Sequence, residues 1–121
     1  MSTLARGFRT EIMGNSILHI DSGKVLDNNN AHEMFELITN AQSEGMNRII
    51  VDMHELEFLS SAGVGSLLGT VDASRGAGGD IVLCNVGESI LHILDVLDLT
   101  TYMTIASDIQ AAQDVLAENN N

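Results

Sequence analysis

The stretch Leu56-Glu-Phe-Leu-Ser-Ser-Ala-Gly-Val-Gly-Ser-Leu-Leu-Gly69 sets two serines and two closely spaced glycines between apolar runs. Downstream, Val64, Leu67, Leu68 and Val71 recur at helical spacing, so Ser60 and Ser61 stand where a helix begins. Upstream, Arg48-Ile-Ile-Val-Asp-Met53 is a short continuous apolar run, which is how a strand covered on both faces reads. Strand, loop and helix make half of a crossover unit, and further strands and helices alternate with it along the chain.

Asp80-Ile-Val-Leu-Cys-Asn-Val86 is a second such strand, entered through the helix-breaking Gly76-Ala-Gly-Gly79. Met34, Leu37, Ile38 and Ala41 mark a helix that Asp27-Asn-Asn-Asn30 caps and Gly45 stops. Ile90, Ile93, Leu94 and Leu97 mark another. Residues 101–106 read as a short last strand, and Ile109, Ala112 and Leu116 as a closing helix, with Asn119-Asn-Asn121 frayed. Near the start, Arg9-Thr-Glu-Ile-Met13 and Ser16-Ile-Leu-His-Ile20 flank Gly14-Asn15, which predicts a hairpin with a two-residue turn. The order ββαβαβα(β)α implies an α/β fold: a mixed, mostly parallel sheet with an N-terminal hairpin and about four helices. With no proline and no polar linker, residues 1–121 read as one domain.

A chain of 121 residues is long enough to bury a core, and with 45% apolar but 3% aromatic residues that core is aliphatic. Met13, Met34, Met46, Met53 and Met103 fit it as fillers. Five basic against 17 acidic residues give a net charge of −12, and Arg6, Arg9, Lys24, Arg48 and Arg75 are scattered. Nucleic acids and anionic membranes need clustered cations, so both are excluded as direct partners. An acidic surface suits protein partners, basic ones among them. The single Cys84 excludes an intramolecular disulfide and any multi-cysteine zinc site, and its apolar strand makes it buried and inert. No apolar run approaches the roughly 20 residues that span a bilayer. The first residues lack a signal peptide's apolar segment, so a cytoplasmic location is expected.

Catalysis finds little support. Gly63-Val-Gly65-Ser-Leu-Leu-Gly69 superficially matches a dinucleotide turn, but nine residues separate it from Met53, whereas such a turn follows its strand almost at once. Ser-Ser-Ala-Gly-Val-Gly is not a Gly-x-Ser-x-Gly elbow. His19, His32, His54 and His92 share no close spacing; Asp21 and Asp27 with Asn28–Asn30 could surround a cation, but helix capping explains that run more simply. No catalytic residue, cofactor or metal site is therefore assigned. Two readings of Ser60-Ser61 remain: a helix cap, or a phosphate acceptor at the positive end of a helix. Gly63 and Gly65 would let another backbone approach closely. The residues alone leave cap and acceptor evenly matched.

In order, Val51-Asp-Met-His-Glu-Leu-Glu-Phe-Leu-Ser-Ser-Ala-Gly-Val-Gly-Ser-Leu-Leu68, Gly78-Gly-Asp-Ile-Val-Leu-Cys-Asn-Val86, Ile90-Leu-His-Ile-Leu-Asp-Val-Leu-Asp-Leu99 and the Leu26-Asp27 pair resemble the STAS domain of the anti-sigma factor antagonist family. The resemblance covers about residues 10–117. It implies a partner switch with no enzymatic activity and no cofactor. The unphosphorylated form would bind an anti-sigma factor that is also a serine kinase. Phosphorylation by that kinase would eject the protein, and a phosphatase would reset it. By register on Gly63, the resemblance puts the acceptor at Ser61, with Ser60 as the second candidate. The family's acidic residue before the acceptor is replaced by Ser60, and the glycine near Asp27 is spaced one residue further away. The partner surface so implied is Asp27, Asn28 and Asn30 with Ser60, Ser61, Ala62, Gly63, Val64 and Gly65. Two other readings compete: a STAS scaffold or accessory subunit that does not cycle, in stress signalling or lipid transport, and a small nucleotide-binding protein using the Gly63–Gly69 segment.

Overall fold

The structure, a computed structural model, describes residues 2–118. In chain order its main elements are β1 (Ser2–Ala5), β2 (Phe8–Met13), β3 (Ile17–Asp21), β4 (Val25–Leu26), α1 (Ala31–Ser43), β5 (Arg48–Asp52), β6 (Phe58–Leu59), α2 (Ser61–Gly76), β7 (Asp80–Cys84), α3 (Glu88–Val96), β8 (Thr104–Ala106) and α4 (Ile109–Glu118). The main sheet has the spatial order β1-β2-β3-β5-β7-β8. Its first three strands are antiparallel and the rest pair in parallel, so the expected mixed sheet with four α-helices is present.

The middles of β5 and β7 are unbroken apolar runs because both faces are covered. Ile49, Val51, Ile81 and Leu83 pack in one layer with Met34 and Ile38 of α1, Leu67 and Val71 of α2, and Ile90 and Leu94 of α3. The alternate residues Ile50, Val82 and Cys84 pack against Ala112 and Leu116 of α4 on the other face. Each large aliphatic side chain fully buried this way contributes about 1.5–3 kcal/mol. At the far end of α2, Arg75 Nε donates to Asp80 Oδ1 at 2.9 Å and an Nη donates to the Tyr102 carbonyl at 2.7 Å, fastening that helix to the sheet. Among the described residues no helix is long and apolar enough to cross a membrane.

The tight turn lies elsewhere than predicted. Gly14–Ser16 is a three-residue 3₁₀ turn between Met13 and its partner Ile17, with Ser16 at φ 57°. The two-residue turn is Arg6-Gly7, which joins the unexpected strand β1 to β2 with Ala5 opposite Phe8 and positive φ at both turn positions. That is the backbone a twisted two-residue hairpin demands, and arginine is an unusual residue to accept it. Other elements are shorter than predicted. β7 ends at Cys84 because Asn85 turns to φ 54°. The last strand is only Thr104–Ala106, since Tyr102 and Met103 donate their N–H groups to the Leu99 carbonyl. Leu97, expected within the helix, instead closes α3 and is half exposed. The expectation of fraying at Asn119-Asn-Asn121 falls outside the described residues.

Two short strands set up the site. β4 and β6 pair in parallel, apart from the main sheet, with Val25 opposite Phe58 and Leu26 opposite Leu59. They bring the Asp27 loop against the start of α2.

Candidate functional site

Ser60 and Ser61 do different work. Ser60 is the N-cap of α2: its Oγ accepts the Gly63 N–H at 3.2 Å, its carbonyl accepts the Val64 N–H, and its own N–H donates to the Leu26 carbonyl at 3.0 Å. Ser61 is the first residue of the helix, exposed, and its hydroxyl has no hydrogen-bond partner among the described residues. An N-cap needs a short side chain with an acceptor oxygen, which serine and aspartate both supply. Ser60→Ala should therefore lower stability by about 0.5–2 kcal/mol in urea denaturation, while Ser60→Asp keeps the parental midpoint.

The Asp27–Asn30 loop folds on itself before it meets this helix. Asn29 N–H donates to Asp27 Oδ1, Asp27 N–H to Asn30 Oδ1, and Asn30 Nδ2 to the Val25 carbonyl, each within 2.8–2.9 Å. The Asp27 carbonyl accepts from the N–H of Ala31 at 2.8 Å, while the N-cap Asn30 makes no side-chain cap bond. The run starts α1 through a backbone carbonyl, not through the expected side-chain cap. Ser60 Oγ donates to Asn28 Oδ1 at 3.3 Å and links the two segments.

Gly63 permits this closeness, and to its own chain. A Cβ on it would lie 2.5 Å from the Leu26 carbonyl oxygen, so Gly63 is buried and unavailable for another backbone to approach. Val64 also points into the core. Gly65 is exposed with nothing near its missing Cβ. Because it sits inside a helix, Gly65→Ala should raise stability by about 0.5–1 kcal/mol, read as a higher melting temperature. The Gly63–Gly69 segment is helical throughout, so it forms no loop that could cradle a phosphate.

Behind the site, at the ends of β3, β5 and β7, a polar cluster surrounds the buried Asp52. Its carboxylate accepts from Asn85 Nδ2 (3.1 Å), His19 Nε2 (3.0 Å), and the N–H and Nδ1 of His54 (3.1 Å each). Burial alone would raise the Asp52 pKa; the hydrogen bonds from Asn85 and His19, then that of the His54 backbone and the charge of its ring, outweigh it and hold the carboxyl below its ordinary value. For His54, burial acts downward, and the bond and charge of Asp52, with Asp21 and Glu55, win and raise it. Neighbouring Cys84 is fully buried and its thiol is pushed up to about 12, chiefly by burial, which makes it inert as expected.

Comparison with known proteins decides the family. Residues 9–112 match the family model of the STAS domain. The chain belongs to the STAS domain family. Among solved structures, this STAS chain superposes on a Thermotoga maritima protein described as a candidate anti-sigma factor antagonist, with a TM-score of 0.84, 20% identity, and 91% of this chain and 94% of that chain covered. The unphosphorylated anti-sigma factor antagonist SpoIIAA gives 0.77 at 23% identity, covering 89% and 95%. A point variant of Moorella thermoacetica RsbS gives 0.74 at 17%, covering 90% and 93%. At these identities the likeness establishes the fold.

In the STAS frame, the residues singled out from sequence gather at one end of the molecule, with Asn28, Ser61 and Gly65 exposed and Asp27, Asn30, Ser60 and Ala62 partly so. Val25 and Phe58, 40% and 54% exposed and opposite each other in the β4–β6 pair, form an apolar patch beside them. Sequence reading missed both, because a two-residue strand has no periodicity to reveal its outward face. His19 and His54, without close spacing in the sequence, meet on one carboxylate.

Proposed function

We propose that this chain is an anti-sigma factor antagonist whose partner binding is switched by phosphorylation of Ser61. The observation that carries the reading is the division between the two serines: Ser60 is consumed by capping, and Ser61 is free. Ser61 also stands at the amino end of a 16-residue helix, where unpaired N–H groups and the macrodipole stabilise added negative charge by about 0.3–1 kcal/mol. Phosphorylation there leaves the helix folded and puts roughly −1.5 to −2 charges on the exposed face. The unmodified form binds an anti-sigma factor that is also a serine kinase, through Asp27, Asn28, Asn30 and residues 60–65. Gly63 and Val64 shape that surface from beneath, while Val25 and Phe58 extend it. The kinase transfers its phosphoryl group to Ser61 and lets go, and a phosphatase restores the cycle. The STAS domain acts in the cytoplasm as a binding module that catalyses nothing itself and needs no cofactor.

The likeness to SpoIIAA, solved in both a phosphorylated and an unphosphorylated form, supports this reading. A charge mismatch in a desolvated interface costs several kcal/mol, and each ~1.4 kcal/mol is tenfold in affinity. The test is calorimetric titration against the histidine-kinase-like anti-sigma factor of the same host. Ser61→Ala should bind like the parent and Ser61→Asp at least tenfold more weakly; equal affinities for both would end the proposal.

A further inference from the structure

Away from the start of α2, Asp21, His54 and Glu55 come together with one donor atom from each within 4.8 Å of the others. Asp21 ends β3, and His54 and Glu55 follow β5. Exposed carboxylates often gather without binding anything. What sets this group apart is the way its histidine is held.

His54 Nδ1 and the His54 backbone N–H both lie 3.1 Å from Asp52 Oδ1. Asp52 is buried and fixed in turn by Asn85 and His19. An ionised carboxylate can only accept, so Nδ1 carries a proton and Nε2 is the nitrogen open to an ion, which displaces the second proton when the ring is charged. Nε2 lies on the Glu55 side, 3.9 Å from Glu55 Oε1. A carboxylate behind an imidazole is the arrangement that orients metal-ligating histidines and raises their basicity. Asp21 is held too: its Oδ1 accepts the Gly23 N–H at 2.9 Å, which leaves Oδ2 available.

We propose that Asp21, His54 and Glu55 form a binding site for a divalent transition-metal ion of the zinc type. One imidazole nitrogen and two carboxylate oxygens are a donor set such ions accept, with water in the fourth position. Calcium and magnesium favour all-oxygen shells with more ligands, and no thiolate is present to select copper(I). Bond lengths of about 2.0–2.2 Å require the donor atoms to draw closer than 4.8 Å, and the exposed Glu55 side chain swings toward the held imidazole. Arg9 and Lys24 line the adjoining hollow. Asp21, Glu55 and Asp52 together outnumber them and keep the neighbourhood negative. The ion would join two segments that already meet where the N–H groups of Glu57 and Phe58 donate to the Lys24 carbonyl. Both segments lead into the β4–β6 pair, so occupancy would stiffen the ground on which Asp27 and Ser60 stand.

The test uses the full chain without an affinity tag, titrated with Zn²⁺ by calorimetry and with Co²⁺ by visible absorption. One equivalent should bind, Co²⁺ should show the intense bands of a four-coordinate site, and Zn²⁺ should raise the melting temperature. His54→Gln at an exposed position and Asp21→Asn at a partly buried one should each weaken binding at least tenfold, while His92→Gln on α3 binds like the parent. Melting curves of the metal-free variants confirm that each is folded. Absence of saturable binding at millimolar Zn²⁺, or unchanged affinity in His54→Gln, would overturn the proposal.

Discussion

Gly63→Ala and Gly79→Ala are each expected to lower the free energy of unfolding by about 1–3 kcal/mol, the usual cost of forcing atoms into a packed interior. A Cβ on Gly63 would sit 2.5 Å from the Leu26 oxygen and 2.9 Å from Leu59 Cδ1. On Gly79 it would sit 2.1 Å from the Asn47 oxygen and 2.6 Å from the Asn47 carbonyl carbon. In both cases the obstacle includes backbone, which cannot swing aside as a side chain can. The two variants should differ in function. The Leu26 carbonyl that Gly63→Ala displaces also accepts the Ser60 N–H, so this change separates the two halves of the proposed partner surface and weakens binding beyond its effect on stability. The Asn47 carbonyl accepts the Asp80 N–H, away from the proposed partner surface, so Gly79→Ala should bind normally while folded. Urea midpoints unchanged from the parent would contradict the close packing on which the site's geometry rests.

Asp52→Ala should cost about 2–4 kcal/mol, between the loss of one charged hydrogen bond and the breaking of a buried ion pair. The truncation leaves the donors of Asn85, His19 and His54 facing an empty acceptor position. Asp52→Asn should cost less, because its amide oxygen still accepts while its NH₂ opposes the remaining donors. Denaturation midpoints in the order parent, Asn, Ala check the account; an Ala variant as stable as the parent would contradict it.

The central architecture was legible from the sequence because burial on both faces leaves an unmistakable mark. Arg48–Asp52 and Asp80–Cys84 each carry an unbroken run of at least three aliphatic residues, and the helices opposite them repeat Met34, Leu37, Ile38, Ala41 or Val64, Leu67, Val71. The first hairpin was not legible. Ser2–Ala5 is an edge strand with no alternation, and nothing local announces that Arg6 will take a positive φ. At the candidate site, the start of α2 was visible but the roles of its serines were not. Which hydroxyl caps and which stays free depends on whether Ser60 or Ser61 is the last non-helical residue, a one-residue difference that pattern reading does not resolve. The Asp52 cluster was invisible for another reason: His19 and Asn85 each lie 33 positions from Asp52, and only the parallel pairing of β3, β5 and β7 makes them neighbours.

The most direct test of the switch is phosphopeptide mapping of residues 49–75 in protein purified from its own host during growth and under stress. The account predicts phosphate on Ser61, in an amount that changes between the two conditions, with Ser60 unmodified. Phosphate confined to Ser60, or a segment unmodified in both conditions while the protein stays in a stable complex, would contradict it and leave the start of α2 a binding edge without a switch.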